Sequence, residues 1–240
     1  MGTRFEVVLP ADDPGAVRPA GEAALAEIED WHRRLSRFAP DSLLGHIHRA
    51  AVDAPVTVDR EMMALLEDCV AVWQDSGGSF DPTLGTGMEA VQLDPGACTI
   101  RLTRPGVRLD FGGIGKGHAI DCAVRVLREA GITSALVHGG TSSVIGLGCP
   151  PDDTAWKVAL AGSGNPPRVV ALVDRALGAS SNAARPHIID PRRAHSARQT
   201  GLVAVTGPSA RRCDAWATAT LVLGRTPEAL PAGYEAIILA

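Results

Sequence analysis

The chain has 240 residues, of which 45% are hydrophobic and 21% charged, an ordinary composition for a folded domain with a sizeable core. Its net charge of −4 offers no basic field for nucleic acid, and no apolar run approaches the ~18 residues that a membrane helix needs. The five cysteines (Cys69, Cys98, Cys122, Cys149, Cys213) are widely spaced with no C-x-x-C pair. Neither a disulfide framework nor a zinc site is suggested, and buried thiols in a reducing compartment are expected.

Residues 1–8 alternate like a strand and lack the basic and apolar regions of a signal peptide, which predicts a cytoplasmic location. The first strand ends near Pro10, and Ala11-Asp12-Asp13-Pro14-Gly15 reads as a turn. A helix is predicted from about Ala20 to Phe38, with Ala24, Ile28, Trp31 and Leu35 on one face. A short helix follows through Leu43, Leu44 and Ile47, capped by Asp41 or Ser42. The strongest helical pattern runs from Asp59 to Ser76, carries Met62, Leu65, Leu66, Cys69 and Trp73, and stops at Gly77-Gly78. Any linker belongs between Gly85 and Arg101. Val107 to Phe111 reads as a strand, followed by glycines and a helix from Lys116 to Glu129. Ala135 to His138, Val144 to Leu147, Trp156 to Ala159, Val169 to Val173, Leu202 to Val205 and Tyr234 to Leu239 are candidate strands. A helix from Ala210 to Leu223 lies between the last two. Strand-rich runs between helices predict an α+β fold with a largely antiparallel sheet.

Four segments carry candidate chemistry. In Leu109 to Asp121 a strand enters a glycine-rich turn and then a helix, and Lys116 adds a full charge where backbone N–H groups favour phosphate. Arginine supplies nearly all the basic charge, and the lysines are Lys116 and Lys157 alone. The glycines alone fit a tight strand-to-helix turn equally well. A P-loop would need Ser or Thr at Gly117, and Gly113, Gly115 and Gly117 lack the dinucleotide spacing. In Gly77 to Gly85, Phe80 is a core plug or a ligand contact, and Asp81 suits an Asx-turn. His187-Ile188-Ile189-Asp190-Pro191-Arg192 gathers a histidine, an aspartate and an arginine around a turn. In Cys213 to Thr220, Asp214 and Thr218 share a helix face, which suits a hard cation, although Asp214 could instead cap a helix starting there.

The ordered set of segments resembles the ApbE family, the FAD:protein FMN transferases. The family motifs M-G-T, S-x-Y/F-x-P-x-S-x-L, G-A/G-F-D-P-T-x-G, L-D-x-G-G-I-A/G-K-G, a glycine-rich strand turn, H-I-I-D-P-R and D-A-x-A-T correspond to Met1 to Thr3, Ser36 to Leu44, Gly78 to Gly85, Leu109 to Gly117, Gly139 to Ser143, His187 to Arg192 and Asp214 to Thr218. Departures are His48 for the Asn closing the second motif, His118 for a Tyr after K-G, and a glycine turn ending in Ser142 where the family carries a carboxylate. The resemblance implies one ApbE-like catalytic domain over residues 1–240, or two intertwined subdomains, built of mixed, mostly antiparallel sheets flanked by helices. It implies that Met1, Phe38, Ser79, Phe80, Asp81 and His187 border the flavin and adenosine parts of an FAD site, with Asp110 and Lys116 flanking the pyrophosphate. Mg²⁺ would sit on Asp214, Thr218 and the Gly115 carbonyl. His187 would be the base and Asp190 its orienting partner. The implied activity is Mg²⁺-dependent transfer of FMN from FAD to a Thr or Ser hydroxyl of an acceptor flavoprotein, releasing AMP. Hydrolysis of FAD to FMN and AMP, and FAD binding without turnover, stay open as alternatives. Separate flavin-side and pyrophosphate-side segments predict tighter binding of FAD than of riboflavin; equal affinities in calorimetric titration would contradict this.

Overall fold

Capping side chains set where most of the helices begin. The computed structural model describes residues 3–161, 166–182, 188–193, 195–197 and 201–239, with residues 195 and 196 described by their backbone alone. In chain order the elements are β1 (Phe5–Val8), α1 (Pro14–Arg34), α2 (Leu43–Ala50), β2 (Val56–Thr57), α3 (Arg60–Asp75), a 3-10 turn (Met88–Ala90), β3 (Val91–Asp94), β4 (Thr99–Leu102) and α4 (Gly115–Glu129). There follow β5 (Ala135–Gly139), β6 (Ser143–Leu147), β7 (Trp156–Leu160), β8 (Arg168–Leu172), β9 (Arg175–Ser181), β10 (Ile189–Asp190), β11 (His195–Ser196), β12 (Leu202–Gly207), α5 (Ala210–Leu223) and β13 (Glu235–Leu239). The Asp13 carboxylate accepts from Gly15 N at 2.9 Å, Ser42 Oγ from Gly45 N at 2.9 Å, and Asp59 Oδ1 from Met62 N at 2.8 Å. The predicted turn at Ala11 to Gly15 is therefore partly helix, because Pro14 occupies the first helical position, where its missing N–H costs nothing.

The main sheet is antiparallel throughout, in the order β1-β5-β6-β9-β12-β13. Period-2 alternation gives it two apolar faces. Val137, Ile145, Ala176 and Val205 join the core formed with the helices. Val144, Leu177, Ala204 and Ile237 meet Leu160 and Leu172 of the β7–β8 hairpin. β2, β4 and β3 form a smaller antiparallel sheet, so the stretch expected to hold a linker, Gly85 to Arg101, instead carries a hairpin. Cys69, Cys122 and Cys213 are buried thiols as expected, whereas Cys149 is exposed and Cys98 half-exposed. Among the described residues no helix is long and apolar enough to cross a membrane.

Two strand expectations change. β9, the centre of the main sheet, was not anticipated, because Ala176, Gly178 and Ala179 give it little apolar signal. Val107 to Phe111 is extended, with Val107, Leu109 and Phe111 buried, but joins no sheet. Its N–H groups are satisfied one by one: Arg108 N donates to Thr86 Oγ1 at 2.9 Å, Leu109 N to His48 Nε2 at 2.8 Å, and Asp110 N to Pro82 O at 2.6 Å.

α4 and α5 touch backbone to backbone near their N-termini. A Cβ on Gly117 would lie 2.2 Å from Ala210 O, and one on Gly178 of β9 would lie 2.5 Å from Asp214 N. Gly117→Ala should therefore cost about 1–3 kcal/mol or more. An unchanged denaturant midpoint would contradict this packing.

His118 of α4 is buried edge-on to Trp31, with ring centroids 4.1 Å apart. Burial, then the charges of Arg211, Arg34 and Arg125, push its pKa down to about 3. The unfolded chain takes up this proton first, near pH ~6.5. Stability from the neutral ring is thus complete above that pH and declines as pH falls towards 3, at up to about 1.4 kcal/mol per pH unit. His118→Leu should flatten this acid limb, read as the urea midpoint between pH 7 and 4 in variant and native protein.

Candidate functional site

The site is built around Asp214 on the inner face of α5. α5 begins at Ser209, whose Oγ accepts from Arg212 N, so Asp214 does not cap its own helix. It caps another. α4 has no side-chain cap of its own at Ile114, and Asp214 Oδ2 accepts from Gly117 N in its first turn at 2.8 Å. The arrangement is reciprocal. Asp121 of α4 accepts at the start of α5 from Ser209 Oγ at 2.7 Å, Ala210 N at 2.8 Å and Arg211 N at 3.0 Å.

Asp214 is 5% exposed, and Ser143 Oγ of β6 lies 2.8 Å from both of its carboxylate oxygens. Burial raises its pKa to about 7. The Lys116 charge, the Ser143 hydroxyl and the Gly117 N–H oppose that rise without cancelling it. One turn on, Thr218 Oγ1 donates to Asp214 O at 3.1 Å and lies 3.3 Å from Ser180 Oγ of β9. Gly113 packs against this hydroxyl, where a Cβ would be 3.2 Å from Thr218 Oγ1 and 3.4 Å from Phe80 Cε2. The glycine turn thus joins Asp214 and Thr218 to the loop of Gly77 to Gly85. Gly115, the first residue of α4, donates its N–H to Phe111 O at 2.7 Å.

In that loop Phe80, Ser79 and Asp81 all make internal contacts. Phe80 is buried, and Ser79 Oγ donates to Ser76 O at 2.9 Å. Asp81 accepts from Thr83 N and Thr83 Oγ1 at 2.7 Å and from Gly85 N at 3.0 Å, an Asx-turn that closes the loop. Asp110 fastens the other side. Its Oδ1 accepts from Gly112 N at 2.7 Å, and its Oδ2 pairs with Arg37. The Arg37 guanidinium lies 4.8 Å from the ring centre of Phe38, which is 83% exposed.

Asp190 is buried and bidentate to Arg192, with Nε at 2.9 Å and Nη2 at 3.0 Å, which holds its pKa below the usual carboxylate range. Its turn packs on the loop, where a Cβ on Gly85 would be 3.0 Å from Pro191 O. Between the two lies a cleft of about 310 Å³ lined by Trp73, Gly78, Asp81, Glu89 and Arg192. Met1 and His187 lie outside the described residues. Reasoning from sequence missed Ser143, Ser180, Asp121 and Arg37, and treated His48 only as a departure. These residues act across the fold, and no spacing along the chain announces them. His48 accepts from Leu109 N through a neutral ring, and burial, followed by the nearby Arg108 charge, lowers its pKa.

The sequence pattern of the ApbE family matches residues 1–237. The FAD:protein FMN transferase of Treponema pallidum (strain Nichols) is 30% identical over 266 residues, covering 86% of this chain and 74% of that protein. The protein of the same name from Rhodobacter capsulatus is 30% identical over 266 residues, covering 93% of this chain and 50% of the relative, so the chain spans half of its length. Among solved structures, the ApbE protein of Thermotoga maritima matches with a TM-score of 0.86 at 21% identity, covering 99% of this chain and 91% of that one. The flavin transferase ApbE of Vibrio cholerae gives a TM-score of 0.83 at 20% identity, covering 99% and 90%. Those two structures share the α+β fold with its mostly antiparallel sheet. With the family pattern spanning nearly the whole chain and a relative 30% identical, the chain belongs to the ApbE family.

Proposed function

We propose that this chain transfers FMN from FAD to a threonine or serine hydroxyl of an acceptor flavoprotein, releasing AMP, and that it needs Mg²⁺ to do so. The relatives from T. pallidum and R. capsulatus are named FAD:protein FMN transferases. The observation that carries the reading here is the buried Asp214 beside Thr218, facing the glycine turn and Lys116 at the start of α4. A diphosphate needs such a helix start, and a hard cation needs such oxygens.

The donor chemistry fits Mg²⁺. The proposed donors are all oxygens, the ligand type that hard cations prefer. Mg²⁺ is commonly held by one or two carboxylates plus waters and substrate phosphates. Asp214, Thr218 and the Gly115 carbonyl are the proposed protein ligands. A carboxylate offers about four lone-pair sites, and the Gly117 N–H and Ser143 O–H leave some of them free. Bound there, the ion supplies charge stabilisation at the phosphate oxygens.

The chain's own groups do the rest. Lys116 and the positive end of the α4 dipole attract and orient the diphosphate. Asp110 shapes the turn they belong to. Phe38, Ser79, Phe80 and Asp81 form the proposed flavin and adenosine side, Phe38 by an exposed face and the others by fixing the loop. Met1 is proposed there from the resemblance alone. His187 is the proposed base for the acceptor hydroxyl from the resemblance, imidazole being the commonest side chain in that task. The bonds of Asp190 to Arg192 support a role in fixing the turn that follows His187.

A second reading, hydrolysis of FAD to FMN and AMP, is favoured by the glycine turn at Gly139 to Ser143, which lacks the carboxylate usual in the family. Mass spectrometry of a co-expressed acceptor distinguishes the two, because only transfer adds FMN to the acceptor.

Asp214→Ala should abolish Mg²⁺-dependent AMP release. It also removes a helix cap, at a cost of about 1 kcal/mol. Asp214→Asn separates the two roles, since the amide oxygen can still accept from Gly117 N while the charge is gone. The expected result is a near-native melting temperature with no activity even in excess FAD, and a milder defect for Thr218→Ala. Near-native Mg²⁺-dependent turnover by Asp214→Asn would remove the metal assignment.

A further inference from the structure

Asp214 and Thr218 each meet a serine from the sheet beneath α5, and those serines share one face. Ser143 of β6 stands directly opposite Gly178 of β9 in the antiparallel register. Gly178 faces α5 closely enough for a Cβ to meet Asp214 N at 2.5 Å. Ser180 lies two residues further along β9, hence on that same face. The missing side chain of Gly178 lets α5 descend onto the strand, and the flanking hydroxyls then reach the two side chains on its inner face.

Thr218 has one hydroxyl proton and can give it to Asp214 O at 3.1 Å. At the 3.3 Å contact between Ser180 Oγ and Thr218 Oγ1 either hydroxyl can donate, and Ser180 does so whenever Thr218 bonds Asp214 O. Thr218 Oγ1 keeps one lone pair for another partner. At Asp214, Ser143 Oγ straddles the carboxylate at 2.8 Å from each oxygen. The terminal torsion of an aspartate is soft. A donor centred between its oxygens, together with Gly117 N on Oδ2, fixes the carboxylate plane. Ser143 is only 2% exposed, so solvent does not replace this bond.

We infer that Ser143 and Ser180 are positioning residues of the ion site, holding Asp214 and Thr218 in the orientation that a divalent cation requires. The inference rests on the reading of that pair as metal donors. Neither serine touches the reacting atoms. Each acts through the side chain it holds, as outer-shell partners do at other metal sites.

The test is Mg²⁺ titration of the native protein, Ser143→Ala and Ser180→Ala by calorimetry, alongside the Mg²⁺ dependence of AMP release. Ser143→Ala should weaken Mg²⁺ binding roughly 10- to 100-fold. The KM for Mg²⁺ should rise in step, with kcat recovering at saturating metal. Ser180→Ala, which acts on the neutral donor, should show a smaller rise of the same kind. A lowered melting temperature with unchanged Mg²⁺ affinity in both variants would mean a merely structural role and overturn the inference. If Ser143→Ala does not fold, Ser180→Ala and the hydroxyl-retaining Ser143→Thr carry the comparison, with native-like affinity expected only for the latter. Tight Mg²⁺ binding by the native protein with unchanged variants overturns this inference alone. Absence of Mg²⁺ binding by the native protein overturns the metal reading with it.

Discussion

The exchange of caps between α4 and α5 is the interaction on which the rest of the site depends. Asp121 of α4 satisfies the first N–H groups of α5, and Asp214 of α5 satisfies an N–H in the first turn of α4. Each helix start leaves orphan donors that must find partners when buried. Here each finds some of them on the other helix, which locks their relative position. The bond to Gly117 N is possible only because Gly117 has no side chain where the Ala210 carbonyl passes. Glycines in a phosphate-type turn are usually explained by an approaching ligand. This one is required by an approaching helix.

A second constraint shapes the approach to that turn. Residues 107–111 bury alternate side chains as a strand would, yet run where no partner strand lies. Three donors in succession find a hydroxyl, an imidazole and a carbonyl from separate parts of the chain. The segment is thereby pinned to α2 through His48 and to the Gly77 to Gly85 region through Pro82 and Thr86. Asp110 is held at the mouth of the glycine turn, where Arg37 offsets its charge. An exposed pair of this kind contributes little to stability. Its consequence is local: it keeps a carboxylate close to a proposed diphosphate site from repelling that anion outright.

How much of this was legible in the sequence varied with the range of the interactions. α3 was readable almost to the residue, since apolar spacing and two glycines in succession are local signals, while the Asp59 cap shows only in the structure. Asp214 and Thr218 were readable as a pair because one helical turn joins them. β9 was not, since its small residues reflect the helix backbone lying on it rather than any strand propensity. Val107 to Phe111 read as a paired strand because alternation reports burial and says nothing about where N–H groups go. Ser143 and Gly117 reach Asp214 across 71 and 97 residues of chain, so no window along the sequence connects them. The capping role of Asp214 was half legible: the residue type was right for a cap, but the helix it caps is the neighbouring one.

The charge state of Asp214 joins structure to chemistry. A neutral residue at this place could cap α4 and accept from Ser143 with less desolvation. Burial instead holds the carboxylate's pKa up at about 7, despite a nearby lysine and two donors aimed at it. An isolated buried charge is costly, and stability alone gives no reason to keep one. Asp121 shows the contrast: partly buried and also raised in pKa, it spends its oxygens on three donors at the start of α5. Among the described residues Asp214 has two donors, and the side chain one turn along its helix is a hydroxyl. Two carboxylates on neighbouring helices thus carry different numbers of donors. Asp214, with fewer, lies against the glycine turn, beside Lys116, where the proposed cation would complete it.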